Sequence, residues 1–222
     1  MAEAAAVAVA LSRAGQSRVA MSVDPASERL PILLRAGLVR GRREGAVVRE
    51  AQRGSAEALE ELFRRHWRRA HRAAFLVVGD SAAAEDIAQE SFLAAIRALD
   101  RFDRRRPFGP WLHRIAVNRA IDFARARALR GETGLPAFEE PGVAGPAAPA
   151  ARADAISDEL LVALADLGPE HRAVVVLRYV LEYTPGEIGE ILGLPRGTVN
   201  SRLRRGLDRL RPAIEAAEER GS

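Results

Sequence analysis

The sequence predicts an all-α protein made of two small helical domains joined by a flexible linker, and three observations support this fold class. Alanine, leucine and arginine dominate the 222 residues and only 5% are aromatic, which favours helices over sheets. Apolar residues, 48% of the chain, recur at helical spacing in two blocks and are numerous enough for packed cores. Between the blocks, a run rich in glycine, proline and alanine shows no periodicity, which is typical of a flexible linker.

This pattern divides the chain into four segments. Residues 1–44 show no sustained amphipathic pattern and are predicted to be a disordered extension, in which Met21 is an alternative start. Residues 45–130 form the first helical domain, residues 131–154 the linker, and residues 155–215 the second helical domain.

Three long helices are expected in the first domain. One ends near Gly79, the second covers 81–99 and the third covers 110–130, with an irregular loop over 104–109 before the third. Strand signals are essentially absent, apart from the ambiguous run 174–177.

Composition argues against several classes of protein. Without cysteine there are neither disulfides nor thiolate metal sites, and the four histidines are scattered, so we expect no metal and no cofactor. The alanine-rich start, 4–11, lacks a basic flank and is too short to span a bilayer, so we expect a cytoplasmic protein without membrane insertion. No glycine loop that could cradle phosphates is present, and we expect no catalytic activity.

Charge is segregated along the chain although the net charge is only +4. No lysine occurs; residues 101–130 hold nine arginines against two aspartates, and residues 196–211 hold six arginines against one aspartate. Acidic stretches cover 80–100 and 154–170. Basic blocks suit phosphate and acidic blocks suit a basic protein partner.

A helix-turn-helix is predicted near the carboxyl end. Thr184 can cap a helix, Pro185 suits its first turn, and Glu187 completes a capping box. Gly193 ends this helix where a turn needs a positive φ, and a second helix starts near 195–196. Gly189 leaves room for that second helix to cross closely.

The second helix has the layout of a DNA-recognition helix. Its apolar face is expected to pack inward and consists of Val199, Leu203, Leu207 and Leu210. Polar and arginine side chains lie on the opposite side, where they suit base edges and phosphates. The alternative is an ordinary helical hairpin with a solvated basic face.

The run EIGEILGLPRGTVNSRLRRGLDRL resembles region 4 of extracytoplasmic-function sigma factors, in which Gly-Thr-Val-x-Ser-Arg-Leu is characteristic. The preceding LGPEHRAVVVLRYVLEYT also resembles that region's opening helix. The resemblance implies recognition of the −35 promoter element. The residues implied are Arg196, Thr198, Asn200, Ser201, Arg202, Arg204, Arg205 and Arg209. Similar tails occur in response regulators, so this segment alone leaves both classes open.

The helix in AEDIAQESFLAAIRAL has two distinct sides. One is expected to be buried and comprises Ala84, Ile87, Ala88, Ser91, Phe92, Ala95 and Leu99. The other holds Asp86, Gln89, Glu90, Leu93 and Arg97. A leucine in an acidic stripe is typical of a protein-binding face, although a solvated helix face with one stray leucine is the alternative.

This helix resembles the sigma region that docks on the clamp helices of the largest polymerase subunit, which contains Asp-x-x-Gln-Glu. The resemblance implies a polymerase-binding face made of Asp86, Gln89, Glu90 and Leu93.

The third helix carries a narrow stripe of Trp111, Arg114, Asn118, Asp122 and Arg125. An aromatic platform beside cationic and amide groups suits unpaired DNA. The alternative is a core tryptophan with intrahelical Arg–Asp pairs.

The same helix resembles sigma region 2, where Phe-x-x-Trp-Leu-x-x-Ile-Ala-x-Asn recurs. The matching residues are Phe108, Trp111, Leu112, Ile115, Ala116 and Asn118. The resemblance implies that this segment reads and holds open the −10 element. The residues implied are Arg106, Phe108, Trp111, Arg114, Asn118, Asp122 and Arg125.

Taken together, the resemblance implies an alternative, stress- or envelope-responsive sigma factor. Its expected partners are core RNA polymerase, through the clamp and the β subunit, duplex and single-stranded promoter DNA, and an anti-sigma protein. A polymerase-independent helix-turn-helix regulator with a dimerising or ligand-sensing first domain is the main rival, and it predicts a palindromic site. An enzyme is disfavoured.

Overall fold

All described elements are helical. The structure is a computed structural model that describes residues 44–131 and 158–220, with side chains over 44–131 and 161–215. Its helices are α1 (44–52), α2 (Ala56–Val78), α3 (Ser81–Ala98), a 3-10 turn (Leu99–Arg101), α4 (Phe108–Leu129), α5 (Asp158–Ala165), α6 (Pro169–Tyr179), α7 (Pro185–Leu192) and α8 (Arg196–Arg220). The all-α prediction is confirmed, and the ambiguous run 174–177 lies inside α6.

Helix boundaries in the first module follow local capping chemistry. Ser55 caps α2 by accepting from the backbone N–H of Ala58, and Gly79 ends it in the left-handed region with φ 73. Asp80 then caps α3. The third helix starts two residues earlier than predicted, at Phe108, because the extended backbone of Pro107 serves as its N-cap.

The first module, α1 to α4, packs its helices around two aromatic and aliphatic clusters. The side of α3 predicted to be buried is buried at every position, from Ala84 to Leu99. The α3 side chains Phe92 and Leu99 pack with Leu62 of α2 and Leu112 of α4. The two-sided character of α3 is therefore confirmed.

The second module, α5 to α8, contains the predicted helix-turn-helix. Thr184 and Glu187 form the capping box of α7, and Gly193 ends it with φ 67. A Cβ on Gly189 would lie 2.7 Å from the backbone oxygen of Leu194, so the small residue is needed for the turn after α7. The second helix begins at Arg196, as predicted.

The two modules share one core. Val77 of α2 and Val117 and Ile121 of α4 belong to the same apolar cluster as Val174 and Leu177 of α6. The two predicted helical domains are both present, and a core shared between them is an addition to that prediction. The predicted linker, 131–154, and the predicted extension, 1–44, lie outside the described residues, except for Gly131 and Glu44 at their borders.

Polar contacts also join the modules. Nδ1 of His113 lies 2.7 Å from the hydroxyl of Tyr183. Burial, followed by the nearby charges of Arg69 and His66, lowers the pKa of His113 to about 3, so the imidazole is neutral. Burial also raises the pKa of the Tyr183 phenol. The pair is therefore a neutral hydrogen bond between the modules.

Candidate protein and nucleic-acid interfaces

The exposed side of α3 has the composition predicted for a protein-binding face. Asp86, Gln89 and Glu90 are exposed, and Leu93 keeps 50% of its surface accessible. Nη1 of Arg119 on α4 donates to Glu90 at 2.5 Å, which fixes one carboxylate of the face. We call Asp86, Gln89, Glu90 and Leu93 the α3 face.

Two further apolar side chains are exposed in the same module. Ile96 is 44% exposed and Phe63 of α2 is 43% exposed. The Phe63 ring lies 4.7 Å from the Trp67 ring and 5.0 Å from the Phe92 ring, centroid to centroid. Sequence reasoning missed both; Ile96 could have been found by its spacing of three from Leu93. Exposed apolar groups of this size favour a protein contact.

The stripe on α4 is only partly open to solvent. Arg114, Asp122 and Arg125 are exposed, whereas Trp111 and Asn118 are half-buried. The Trp111 ring stacks on Phe102, with 4.5 Å between centroids. Trp111 therefore has features of both alternatives. It packs against the core, as a core tryptophan would, and it keeps the accessible surface that a stacking platform needs.

Phe108 is placed differently from the other residues of this set. Only 2% of its surface is exposed, and its ring meets that of Trp111 edge-on at 5.6 Å. A buried ring has no free face on which a base could stack, because stacking needs an accessible π surface. Phe108 is a packing residue that supports Trp111, which corrects its expected place on the DNA surface.

Arg106 lies in the loop over 102–107, just before α4, together with Arg104 and Arg105. All three arginine side chains are exposed. Inside the loop, the Arg106 N–H donates to the carbonyl of Asp103 at 2.9 Å, and Nε of Arg105 donates to the Asp103 carboxylate at 3.0 Å. We call residues 102–107 the arginine loop.

Arg125, at the end of the stripe, contacts the second module. Its Nε and Nη2 donate to Glu170 of α6 at 2.7 and 2.5 Å, and Asp122 lies 3.9 Å away. Partial burial acts to raise the pKa of Glu170, but the hydrogen bond from Arg125 and the charges of Arg125 and Arg202 lower it below its ordinary value. Glu170 is thus a carboxylate among arginines of both modules.

The recognition-helix candidates lie on α8 as expected. Val199 and Leu210 are fully buried and Leu203 nearly so, which confirms the inward face. Among the predicted DNA-contacting residues, the exposed ones are Arg196, Asn200, Arg204, Arg205 and Arg209, and the half-buried ones are Thr198, Ser201 and Arg202. The Ser201 hydroxyl donates to the carbonyl of Thr198 at 2.9 Å.

The arginines of α8 also affect a histidine on α6. Burial lowers the pKa of His171, and the positive charges of Arg202, Arg205 and Arg209 lower it further. The positive potential of these three arginines favours binding of an anion such as a DNA phosphate, because the anion reduces the repulsion between them.

No helix in the described part of the chain is long and apolar enough to cross a membrane. This finding concerns residues 44–131 and 158–220 only.

Comparisons with known proteins assign both modules. The family model for sigma-70 region 2 matches residues 62–130, and that for sigma-70 region 4 matches residues 163–212. The ECF RNA polymerase sigma factor SigW of Bacillus subtilis is 32% identical over 177 residues, which cover 75% of this chain and 94% of SigW. The RNA polymerase sigma factor CarQ of Myxococcus xanthus is 35% identical over 171 residues, covering 74% and 94% of the two chains.

A solved structure gives the same relationship. CnrH, in complex with the cytosolic domain of CnrY, is 28% identical and matches with a TM-score of 0.56 over 78% of this chain and 97% of CnrH. The resemblance found in both modules is thereby confirmed along most of their length. The chain belongs to the extracytoplasmic-function group of RNA polymerase sigma factors, which direct transcription initiation.

Proposed function

We propose that this chain is an alternative sigma factor that docks on core polymerase through the α3 face and reads the −10 and −35 promoter elements with α4 and α8. It supplies recognition and catalyses no reaction, needs no cofactor or metal, and works in the cytoplasm. The observation that carries this proposal is the separation of an acidic face with an exposed leucine from two arginine-rich helices.

The α3 face binds the clamp of the largest polymerase subunit. Leu93 offers 50% of its surface for burial, and the carboxylate of Asp86 can pair with basic groups on the clamp. Phe63 and Ile96 extend the apolar part of the contact. A central apolar group within a charged rim is the usual arrangement of a protein interface. The second module contacts the β subunit.

The α8 helix binds the −35 element in the major groove. Its first exposed side chains are Arg196 and Asn200, at the end of the helix that enters the groove in helix-turn-helix proteins. Arg204 and Arg205 are exposed and can read base edges, since an arginine fork matches guanine. Arg202 and Arg209 contact phosphates.

The α4 stripe and the arginine loop hold the −10 element once it is unpaired. Arg106 and Arg114 provide a cationic track, and the accessible part of Trp111 provides a stacking surface. Asn118 supplies hydrogen-bond donors and acceptors for base edges. Arg125 and Asp122 lie at the end of this track, and Arg125 pairs with both Asp122 and Glu170 in the packed arrangement.

A stress or envelope signal would control such a factor through an anti-sigma protein. The support is that the solved relatives include a sigma factor bound to an anti-sigma factor from Bartonella quintana. Because that relative is bound to an anti-sigma factor, an anti-sigma protein is the regulator to test first for this chain.

Run-off transcription with core polymerase tests the proposal. Adding the chain should produce transcripts that start at a fixed distance from two mapped elements, and Asp86→Arg should abolish both transcription and co-purification with core. Glu215→Arg, a charge reversal at an exposed position of α8 outside the α3 face, is the matched control and should behave as wild type. Transcripts identical with and without the chain would overturn the proposal. Tight binding to a palindrome without polymerase would favour the independent regulator.

A further inference from the structure

Helix α1, which lies ahead of the residues matched by the region 2 family model, contacts the arginine loop at its beginning, middle and end. The loop connects the 3-10 turn after α3 to the first residue of α4. Side chains 47 to 64 residues earlier in the chain thus meet the loop.

At the beginning of the loop, the contact is made by Gln52. Its amide nitrogen donates to the carbonyl of Leu99 at 2.9 Å and to the carbonyl of Phe102 at 3.0 Å. An amide group has two N–H donors, so both are used on these two carbonyls. The direction in which the chain leaves α3 is therefore set by one side chain of α1.

At the end of the loop, the contact is made by Glu44. Its carboxylate accepts from the backbone N–H of Phe108 at 3.3 Å, and its other oxygen lies 2.7 Å from Nε2 of His66. That N–H is one of the first of α4, which have no partner within the helix. A carboxylate at a helix start is also favoured by the helix dipole.

In the middle of the loop, the backbone itself lies against α1. A Cβ placed on Gly45 would be 3.4 Å from the carbonyl oxygen of Arg104, so the loop passes within van der Waals contact of the helix. The aromatic rings at the loop ends are fixed as well, with Phe102 stacked 4.5 Å from Trp111. The side chains of Arg104, Arg105 and Arg106 remain exposed, as does that of Pro107 at the end of the loop.

We propose that Gln52 and Glu44 are positioning residues for promoter opening: they hold the two ends of the arginine loop so that its arginines and Trp111 meet the unpaired −10 strand together. Neither residue needs to touch DNA. The inference rests on the proposed role of the loop and of Trp111 in holding that strand. Displacing a binding group by about 1 Å can slow a reaction by about 100-fold, so the loss of these contacts is felt at the strand-opening step.

Gln52→Glu is the sharpest variant, because it keeps the size of the side chain and removes both donors. Permanganate reactivity of unpaired thymines, measured with core polymerase on a duplex promoter, should fall by about 10- to 100-fold. Affinity for core should stay at the wild-type value, and the protein should remain folded at the assay temperature, although the two carbonyls left without a donor lower the thermal midpoint. Activity should return on a template already unpaired across the −10 element, since there the opening step is bypassed.

Three further variants separate positioning from support of the fold. Gln52→Lys retains N–H donors on a long side chain and should restore opening. Glu44→Ala should give the same template dependence as Gln52→Glu. Glu50→Gln changes an exposed side chain of the same helix and should leave opening unchanged.

The outcomes are distinguishable. Wild-type opening by Gln52→Glu, an equal defect on duplex and unpaired templates, or unfolding at the assay temperature that accounts for the loss would each overturn the positioning role. The loop variants Arg106→Ala and Trp111→Ala test the proposed function itself. If they too leave permanganate reactivity unchanged, the role of the loop in the proposed function fails, and if only they reduce it, the positioning role alone fails.

Discussion

Nη1 of Arg172 in α6 donates a hydrogen bond of 2.8 Å to the backbone carbonyl of Val77 in α2, 95 residues earlier in the chain. The same guanidinium donates through Nη2 to the carbonyls of Ala165 and Leu167 at 2.5 and 2.9 Å. Only 5% of the residue is exposed, and this burial lowers its pKa to about 10, which leaves it charged at neutral pH. One cation thus satisfies the carbonyl ends of two helices, one in each module.

Replacing this cation should destabilise the packed arrangement. Arg172→Met keeps most of the volume but leaves buried carbonyls without a donor, at about 1–3 kcal/mol for each group left unpaired. We expect the free energy of unfolding to fall by about 2–4 kcal/mol in urea titrations. Arg178→Met, a half-buried arginine on the same helix, is the comparison and should cost less. Equal losses in the two variants would contradict the role assigned to Arg172.

Acid should destabilise the protein through His113. Its folded pKa of about 3 lies below the ordinary value of 6.5, so as pH falls below 6.5 the unfolded chain takes up a proton that the folded chain does not. The contribution is intact above pH 6.5 and is lost by about 1.4 kcal/mol per pH unit as pH falls towards 3. The slope of the unfolding free energy against pH measures it.

The matched variant for this slope is His113→Gln. Glutamine can still hydrogen-bond to the Tyr183 hydroxyl but does not titrate, so the slope between pH 6 and 4 should flatten by about one proton. An unchanged slope would assign the acid sensitivity to other groups.

The turn of the helix-turn-helix should not tolerate a larger residue at Gly189. An added methyl group would lie 2.7 Å from the carbonyl oxygen of Leu194, a backbone atom that can move only with the turn. We expect Gly189→Ala to cost about 1–3 kcal/mol and to weaken −35 binding, because α8 must shift. Gly197→Ala, which adds its methyl group in open space on α8, is the control for stability. A wild-type melting temperature for Gly189→Ala would refute the close approach.

Base reading by α8 should depend on Arg205. Arg205→Ala is expected to weaken recognition of the −35 element by about 1–3 kcal/mol and to relax specificity at one base position. The measurement is a footprint of the polymerase complex on promoters that carry single substitutions. Arg49→Ala removes an equal charge from an exposed position of α1 and should leave that pattern unchanged. Uniform weakening on every sequence would make Arg205 a phosphate contact.

Sequence patterns predicted the elements better than their assembly. The two sides of α3 and the turn at Gly193 follow from periodicity and from the φ that the turn requires, both of which are local properties. The shared core was not predicted, because the pairing of apolar surfaces distant in sequence leaves no local trace. One signal was available: residues 73–78 of α2 form a continuous apolar run, and a helix end that is apolar all round must be covered on every side.

Among the site residues, too, the features that depend on local sequence were predicted and those that depend on long-range packing were not. The exposure of Asp86, Leu93 and Arg205 follows from helical periodicity. Phe108 could not be placed in this way, because it lies at a helix start, where the last loop residues and the first helical residues have no common period. Likewise, nothing in the local pattern of α1 indicates that Gln52 reaches the carbonyls of Leu99 and Phe102, 47 and 50 residues later.

The core shared by the two modules limits the length of DNA that the molecule can span. Two elements centred near −35 and −10 are about 25 base pairs apart, or about 85 Å along duplex DNA at about 3.4 Å per base pair. A compact body of about 150 residues has a radius of gyration of only about 15 Å. While Val77 and Val174 pack in one core, the molecule is too small to contact both elements at once, so it can bind only one of them. Binding both elements therefore requires the two modules to separate, which exposes the apolar side chains of their shared core to water. A partner protein that covers these side chains would lower the free energy of that separation.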